Sequence, residues 1–245
     1  MPKQLTGKID PSRIHAMSLP PLPDGVLEGF RALGDATSAV ADALDEFGIP
    51  GCVAASTLRP TISGGRLVGR ALTVHNIVQS RDPMESARQR TNKMAEIEAH
   101  NLAEPGDVIV IQGVLGTSNM GGVGAQIGKR QGEVGAIVEG GIRDIGHSRS
   151  VGYPIWSTEV TPMSGKWRVE TVAINAMVVI CGIRVYPGDL VIADDTGVCF
   201  VPRADAQRVL AYAQKKAKSE EDSCARIEAG VSVPELAGAP AASKK

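Results

Sequence analysis

The residues best placed by type and spacing to do chemistry lie in Asn119–Asp144, NMGGVGAQIGKRQGEVGAIVEGGIRD. Gly121, Gly122 and Gly124 stand where a loop gives way to a helical stretch. Glycines there let backbone N–H groups turn toward an anion, and the helix start adds partial positive charge. A tight turn without a ligand accounts for the same cluster equally well. The G-x-G-x-x-G spacing and a preceding strand do not coincide, and no Lys-Ser/Thr pair follows, so neither a dinucleotide fingerprint nor a P-loop is present. Arg143-Asp144 comes just after the apolar run Ala136-Ile137-Val138, and strand ends in α/β sheets are where ligands usually sit. An Arg can clamp a carboxylate with two parallel hydrogen bonds, and the adjacent Asp can hold a hard divalent cation. One Asp suits Mg²⁺, which keeps several waters, better than zinc, which wants a protein cage. A surface ion pair at a helix start is the plainer alternative.

Other candidates are more scattered. Glu139, Glu159, Asp194, Asp195, His75 and His147 are titratable groups near apolar runs, with His147 about one helical turn beyond Asp144. Asp194-Asp195-Thr196-Gly197 reads most simply as a hairpin turn. No G-x-S-x-G elbow occurs, and no Cys has an evident His partner. Cys52, Cys181, Cys199 and Cys224 are far apart without a C-x-x-C, and Cys181 and Cys199 fall in apolar runs where a thiol is usually a small core residue. Nothing here asks for disulfides, so a reducing, cytoplasmic setting is expected. The N-terminus has no apolar stretch of secretory length.

These residues need elements to position them. Residues 1–23 end in Leu19-Pro20-Pro21-Leu22-Pro23 and are expected to form an extended arm outside the core. Asp24 is a plausible N-cap for a helix running to about Phe47. Arg66–Val78 reads as a strand. Pro83–Asn101 reads as a helix with Met84, Ala87, Met94 and Ala95 on one face. The runs Val108–Ile111, Ala136–Val138, Ala176–Ile180 and Leu190–Ala193 suit strands buried on both faces, with a helix at about Val123–Gln131 between the first two. Strand–helix–strand order predicts a compact layered α/β sandwich with central buried strands and a right-handed crossover. Residues 203–229 read as a last helix whose charged second half rests in solvent or on a partner subunit. The expected division is an arm (1–23), one domain (24–230) and a mobile tail (231–245).

Composition narrows the function classes. The chain has 245 residues, 26 Lys+Arg against 27 Asp+Glu, 28 glycines and 15 prolines, but only two Trp, three Tyr and three Phe. A net charge of −1 gives no electrostatic footprint for nucleic acid or an anionic membrane. No apolar run approaches the roughly 20 residues of a membrane helix. A 43% apolar content excludes wholesale disorder.

The ordered pieces PGDVIVIQG (105–113), the GG-V-G-A loop with AQIGKRQG (121–132), VGAIVEGGIRD (134–144), GYPIWSTEVTP (152–162), PGDLVIADDTGVCFVP (187–202) and a charged C-terminal helix resemble the RraA-like family. That family includes class II 4-hydroxy-4-methyl-2-oxoglutarate/4-carboxy-4-hydroxy-2-oxoadipate aldolases and the regulator of ribonuclease E activity. The resemblance implies an α/β sandwich assembled as a homotrimer or dimer of trimers, with sites at subunit boundaries. It implies that Arg143 clamps a small oxo- or hydroxy-acid and that Asp144 ligates Mg²⁺ or another divalent cation such as Mn²⁺. The amides around Gly121, Gly122, Val123 and Gly124 would hold the carboxylate, and Glu220 or Glu221 of a neighbouring subunit's last helix would take the hydroxyl proton. The aldolases carry acidic residues at the positions of Gly122 and His147, so related chemistry on another acid is also implied. Three readings result: a lyase cleaving or decarboxylating an oxo-acid through a pyruvate-like enolate, a non-catalytic regulator-like trimer that grips a protein, and a sugar-acid hydratase or isomerase in which His147 supplies the proton.

Overall fold

A computed structural model describes residues 3–238. The strands are β1 (Cys52–Ala54), β2 (Arg59–Pro60), β3 (Leu67–Val78), β4 (Asp107–Gln112), β5 (Ser118–Met120), β6 (Gly135–Ile142), β7 (Ile155–Val160), β8 (Val169–Ile174), β9 (Val178–Ile180), β10 (Ile183–Val185), β11 (Leu190–Asp194) and β12 (Gly197–Val201). The α-helices are α1 (Val26–Ala32), α2 (Ala36–Glu46), α3 (Pro83–Arg88), α4 (Glu96–Leu102), α5 (Gly122–Gln131), α6 (Ile145–Ser150), α7 (Ala206–Glu228) and α8 (Val233–Leu236). Ten strands form one mixed sheet in the order β1-β12-β11-β3-β4-β6-β7-β2, with β5 added to β6 and β8 to β3. The central pairs β3–β4, β4–β6 and β6–β7 are parallel, and β4 and β6 are joined through α5.

Alternation along the strands shows why the apolar runs are continuous. In β4, Ile109 and Ile111 join a cluster under α4 and α5, while Val108 and Val110 join one on the opposite face. In β11, Leu190 and Ile192 pack with α1, α2 and α7, while Val191 and Ala193 face the other way. That second face is closed by Leu58, Trp156 and the separate β9–β10 hairpin as the sheet curls around them. The apolar runs of β4, β6 and β11 are therefore buried on both faces, and β-branched residues fill both sides. The result is the mixed α/β architecture with buried central strands that the sequence predicts.

Five expectations need correction. The arm is part of the core: Ile9 and Leu19 are buried in the α4–α5 cluster, and Ile14 bridges to Ile174. The helix expected from Asp24 to Phe47 is two helices, α1 and α2, broken at Leu33–Asp35; Gly25, at φ 77°, occupies the cap position instead of Asp24. The helix expected over Pro83–Asn101 is likewise split into α3 and α4. Arg90 takes a left-handed φ of 53°, the Thr91 N–H turns back to the Ser86 carbonyl, and Met84 is left exposed. The run Ala176–Ile180 yields only β9, in the two-stranded hairpin, and Cys181 sits in its turn at φ 49°. The region expected to be a tail begins with α8, and residues 239–245 lie outside those described.

Candidate functional site

The site is built where parallel β5 and β6 end. Met120 pairs with Ile142, and the Arg143 N–H donates to the Met120 carbonyl at 3.1 Å, so the chain entering α5 lies beside Arg143-Asp144. A β-carbon on Gly121 would stand 3.0 Å from Asp144 Oδ2 and 3.3 Å from Arg143 Nε. A side chain at 121 would have to push these two groups aside, so glycine lets them cross the helix start this closely. The Gly122 N–H donates to Asp144 Oδ2 at 3.3 Å, and Arg143 Nε lies 3.5 Å from the same oxygen. Asp144 holds a left-handed φ of 56°, a conformation costly for a non-glycine residue and one that concentrates at functional sites. With its side chain half exposed and these contacts long, its carboxylate keeps lone pairs free for a ligand.

A cavity of about 250 Å³ opens here. Its wall combines Gly121–Gly124, Arg143 and Asp144 with Lys8 from the arm, Lys166 from the turn Gly165–Trp167, and Glu96 from the start of α4. Sequence reasoning missed Glu96, because an unbroken helix over 83–101 gives it no special place; the break puts it in the first turn of α4, anchored where the Ala95 N–H donates to Thr171 Oγ1 at 2.9 Å. Burial pushes the Glu96 carboxyl above its ordinary value, opposed by a backbone hydrogen bond and by His100 and Arg143.

Beneath the helix start lies a buried polar group. His100 Nδ1 sits 2.9 Å from Glu133, and the Tyr153 hydroxyl donates to the same carboxylate at 2.5 Å. A β-carbon on Gly124 would lie 3.1 Å from His100 Nε2, and one on Gly128 would collide with Glu133. The small face of α5 thus seats the helix on this group and holds its first amides in place.

Not every expected residue converges. Arg143, Asp144, Gly121, Gly122, Val123 and Gly124 share the cavity. His147 is not among its lining residues: it is exposed, packed behind Gly122, with Nε2 3.2 Å from Gln126 Oε1. Glu220 and Glu221 lie in another groove, between α7 and the α1–α2 turn, and do not meet Arg143 within one chain. Trp156 is core, donating to the Asp194 carbonyl at 3.0 Å. Glu159 accepts from the Gly116 N–H at 2.6 Å and Asp194 from the Thr37 hydroxyl at 2.7 Å; both serve turns.

For the metal that the resemblance implies, one half-exposed carboxylate beside open solvent fits an ion that keeps its waters. Among the described residues no three His, Cys, Asp or Glu side chains converge as a closed cage.

Comparison with known proteins agrees with the motifs. The family model RraA-like, described as Aldolase/RraA, matches residues 37–200. A protein of Halalkalibacterium halodurans with the provisional name 4-hydroxy-4-methyl-2-oxoglutarate aldolase is 32% identical over 187 residues, covering 76% of this chain and 81% of that protein. An uncharacterized Pseudomonas syringae pv. tomato protein superposes with a TM-score of 0.74 at 26% identity, over 89% of this chain and 98% of that one. Streptomyces coelicolor RraAS2, described as an unusual member of the RNase ES inhibitor RraA family, superposes with a TM-score of 0.69 at 30% identity, over 83% of this chain and 98% of that one. The chain belongs to the RraA-like family.

Proposed function

We propose that this protein is a Mg²⁺-dependent lyase that cleaves or decarboxylates a small oxo-acid through a pyruvate-like enolate. The observation that carries the reading is the single cavity in which Arg143, Asp144 and the first amides of the ten-residue helix α5 face one another. Asp144 would hold the cation, which as a Lewis acid lowers the cost of an enolate. Arg143 clamps the acid and steadies charge developing on its keto oxygen. The N–H groups of Val123 and Gly124, with that of Gly122, receive the carboxylate. Glu96, the cavity's second carboxyl, is positioned to hold or release a proton beside the bound acid. Glu220 or Glu221 would contribute only from a neighbouring copy.

A homotrimer or dimer of trimers supplies that copy in this reading, acting in the cytoplasm on a free metabolite. Support comes from apolar side chains left exposed at and near the cavity, with Val123 74% and Met163 46% exposed. No helix among the described residues is long and apolar enough to cross a membrane.

Gly122 favours one alternative, since a non-catalytic regulator-like trimer needs no carboxylate there. The hydratase or isomerase reading is weaker, because His147 stands outside the cavity wall. Titrating oxalate, an enolate mimic, into the protein with and without Mg²⁺ in a calorimeter tests the proposal, followed by assay of pyruvate release from hydroxy-oxo-acids. Metal-dependent binding is expected; absence of binding under both conditions favours the regulator.

A further inference from the structure

Away from that cavity, two thiols meet across the edge of the sheet. Cys52 of β1 and Cys199 of β12 are register partners, with their sulfurs 3.6 Å apart. The ladder bonds Phe200 N–H to Gly51 carbonyl (2.8 Å) and Ala55 N–H to Thr196 carbonyl (3.0 Å) put hydrogen-bonded pairs at 51–200 and 55–196. Cys52–Cys199 is therefore a non-hydrogen-bonded pair, the position where antiparallel strands bring side chains closest and where the Cα separation of about 4.5 Å falls within disulfide range.

The two thiols are unequal. Cys52 is exposed and Cys199 is buried against α2, its sulfur 3.4 Å from the Thr37 carbonyl. The Cys199 thiol's hydrogen bond pulls the Cys52 thiol down, against burial and the nearby Asp45. The same bond, then burial, pushes Cys199 up. An accessible thiol with a protected partner in contact is the arrangement of an attacking and a resolving cysteine. Cys224, exposed on α7, and Cys181, in the β9–β10 turn, are not bonded to another thiol among the described residues.

We propose that Cys52 and Cys199 form a peroxide-responsive modification site that closes reversibly into an intrachain disulfide. The Cys52 thiolate attacks one peroxide oxygen and breaks the O–O bond, giving a sulfenic acid and hydroxide. The hydroxide takes up the proton that Cys52 released on ionising. The Cys199 sulfur then attacks the Cys52 sulfur, forming the S–S bond, and its thiol proton leaves with the sulfenic oxygen as water. Overall two thiols lose two electrons to one hydrogen peroxide, which becomes two waters; a dithiol reductant reverses the change by exchange. Closure draws Cys199 from the Thr37 carbonyl and staples edge strand β1 to the sheet, so α2 is the first helix to feel it.

The test is peroxide titration of the wild-type protein, read by intact mass and peptide mapping. The expected product is about 2 Da lighter, monomeric in its linkage, joins the Cys52 and Cys199 peptides and reverts with dithiothreitol. Cys52 should react about tenfold or more faster than Cys224, an exposed thiol in the same molecule. In Cys199→Ala, or Cys199→Ser if that folds better, dimedone should trap a persistent sulfenic acid on Cys52. Reaction of Cys52 no faster than Cys224, or bridging of Cys52 to another molecule instead of Cys199, would overturn the proposal.

Discussion

His147 packs directly against the face of Gly122 where a side chain would project. A β-carbon built on Gly122 would lie 3.1 Å from both Cβ and Cδ2 of His147 and equally close to Asp144 Cβ. The two positions at which the aldolases carry acids are thus coupled here: the imidazole packs where a side chain at 122 would go. A side chain at the start of α5 would press on both neighbours, and the cavity's second carboxyl is Glu96, from α4.

This coupling predicts a non-additive pair. Gly122→Asp should destabilise the protein by about 1–3 kcal/mol, since Asp144 Cβ and His147 Cβ are held by backbone. Adding His147→Ala removes the Cδ2 contact and should recover part of that loss, leaving an interaction energy above about 0.5 kcal/mol in a denaturation cycle. Strict additivity would mean that the residues do not compete.

Asp144 and Glu96 should separate binding from turnover. Asp144→Asn is expected to abolish the Mg²⁺ dependence of oxalate binding, and an undiminished metal response would remove it as the ligand. Glu96→Gln keeps shape and should leave that binding near wild type while lowering turnover by about 10²-fold. Unchanged turnover would assign the proton elsewhere.

Glu220 and Glu221 can be tested by mixing subunits. A Glu220→Gln/Glu221→Gln chain and an Asp144→Asn chain should each be inactive alone, because each lacks one half of a shared site. Refolded together, they should regain activity in mixed oligomers. No recovery, with mixed oligomers verified by mass, would confine the site to one chain.

Acid should loosen the arm that carries Lys8 to the cavity. Glu170 bonds Lys93 Nζ at 2.7 Å and Arg13 at 3.0 Å. Its carboxyl is held below the ordinary value of 4.5, chiefly by the Lys93 bond, with burial opposing and Arg13 assisting. A depressed folded-state value means that this stabilisation is present above the unfolded-state value and is lost as pH falls through the folded-state one. With partners nearly half exposed, the contribution should be about 1 kcal/mol or less. The melting temperatures of wild type and Glu170→Gln should therefore differ at pH 6 and converge below about pH 4.5. A gap constant over that range would contradict the anchoring role.

Much of this protein is local and so legible in its residues. The apolar runs at 108–111, 136–138 and 190–193 read as strands buried on both faces, because a residue run reports its own burial. The glycine-led helix and the Arg143-Asp144 pair at the end of β6 are visible for the same reason: each is specified within a few neighbours. Where tertiary contacts overrode local pattern, the reading failed. The 83–101 stretch looks like one helix until Arg90 turns left-handed, and the break between α3 and α4 puts Glu96 in the cavity wall. The arm looks unsuited to a core until Ile9 and Leu19 find α4 and α5.

The sequence by itself determined the buried strands, the family and the residues of the anion-facing helix start, since chain spacing and side-chain type encode each. Only the tertiary structure decided that Glu96 joins Arg143, that His147 fills the space beside Gly122, and that Cys52 touches Cys199. These are distances between segments brought together by strand register and helix packing, and no local periodicity carries that information.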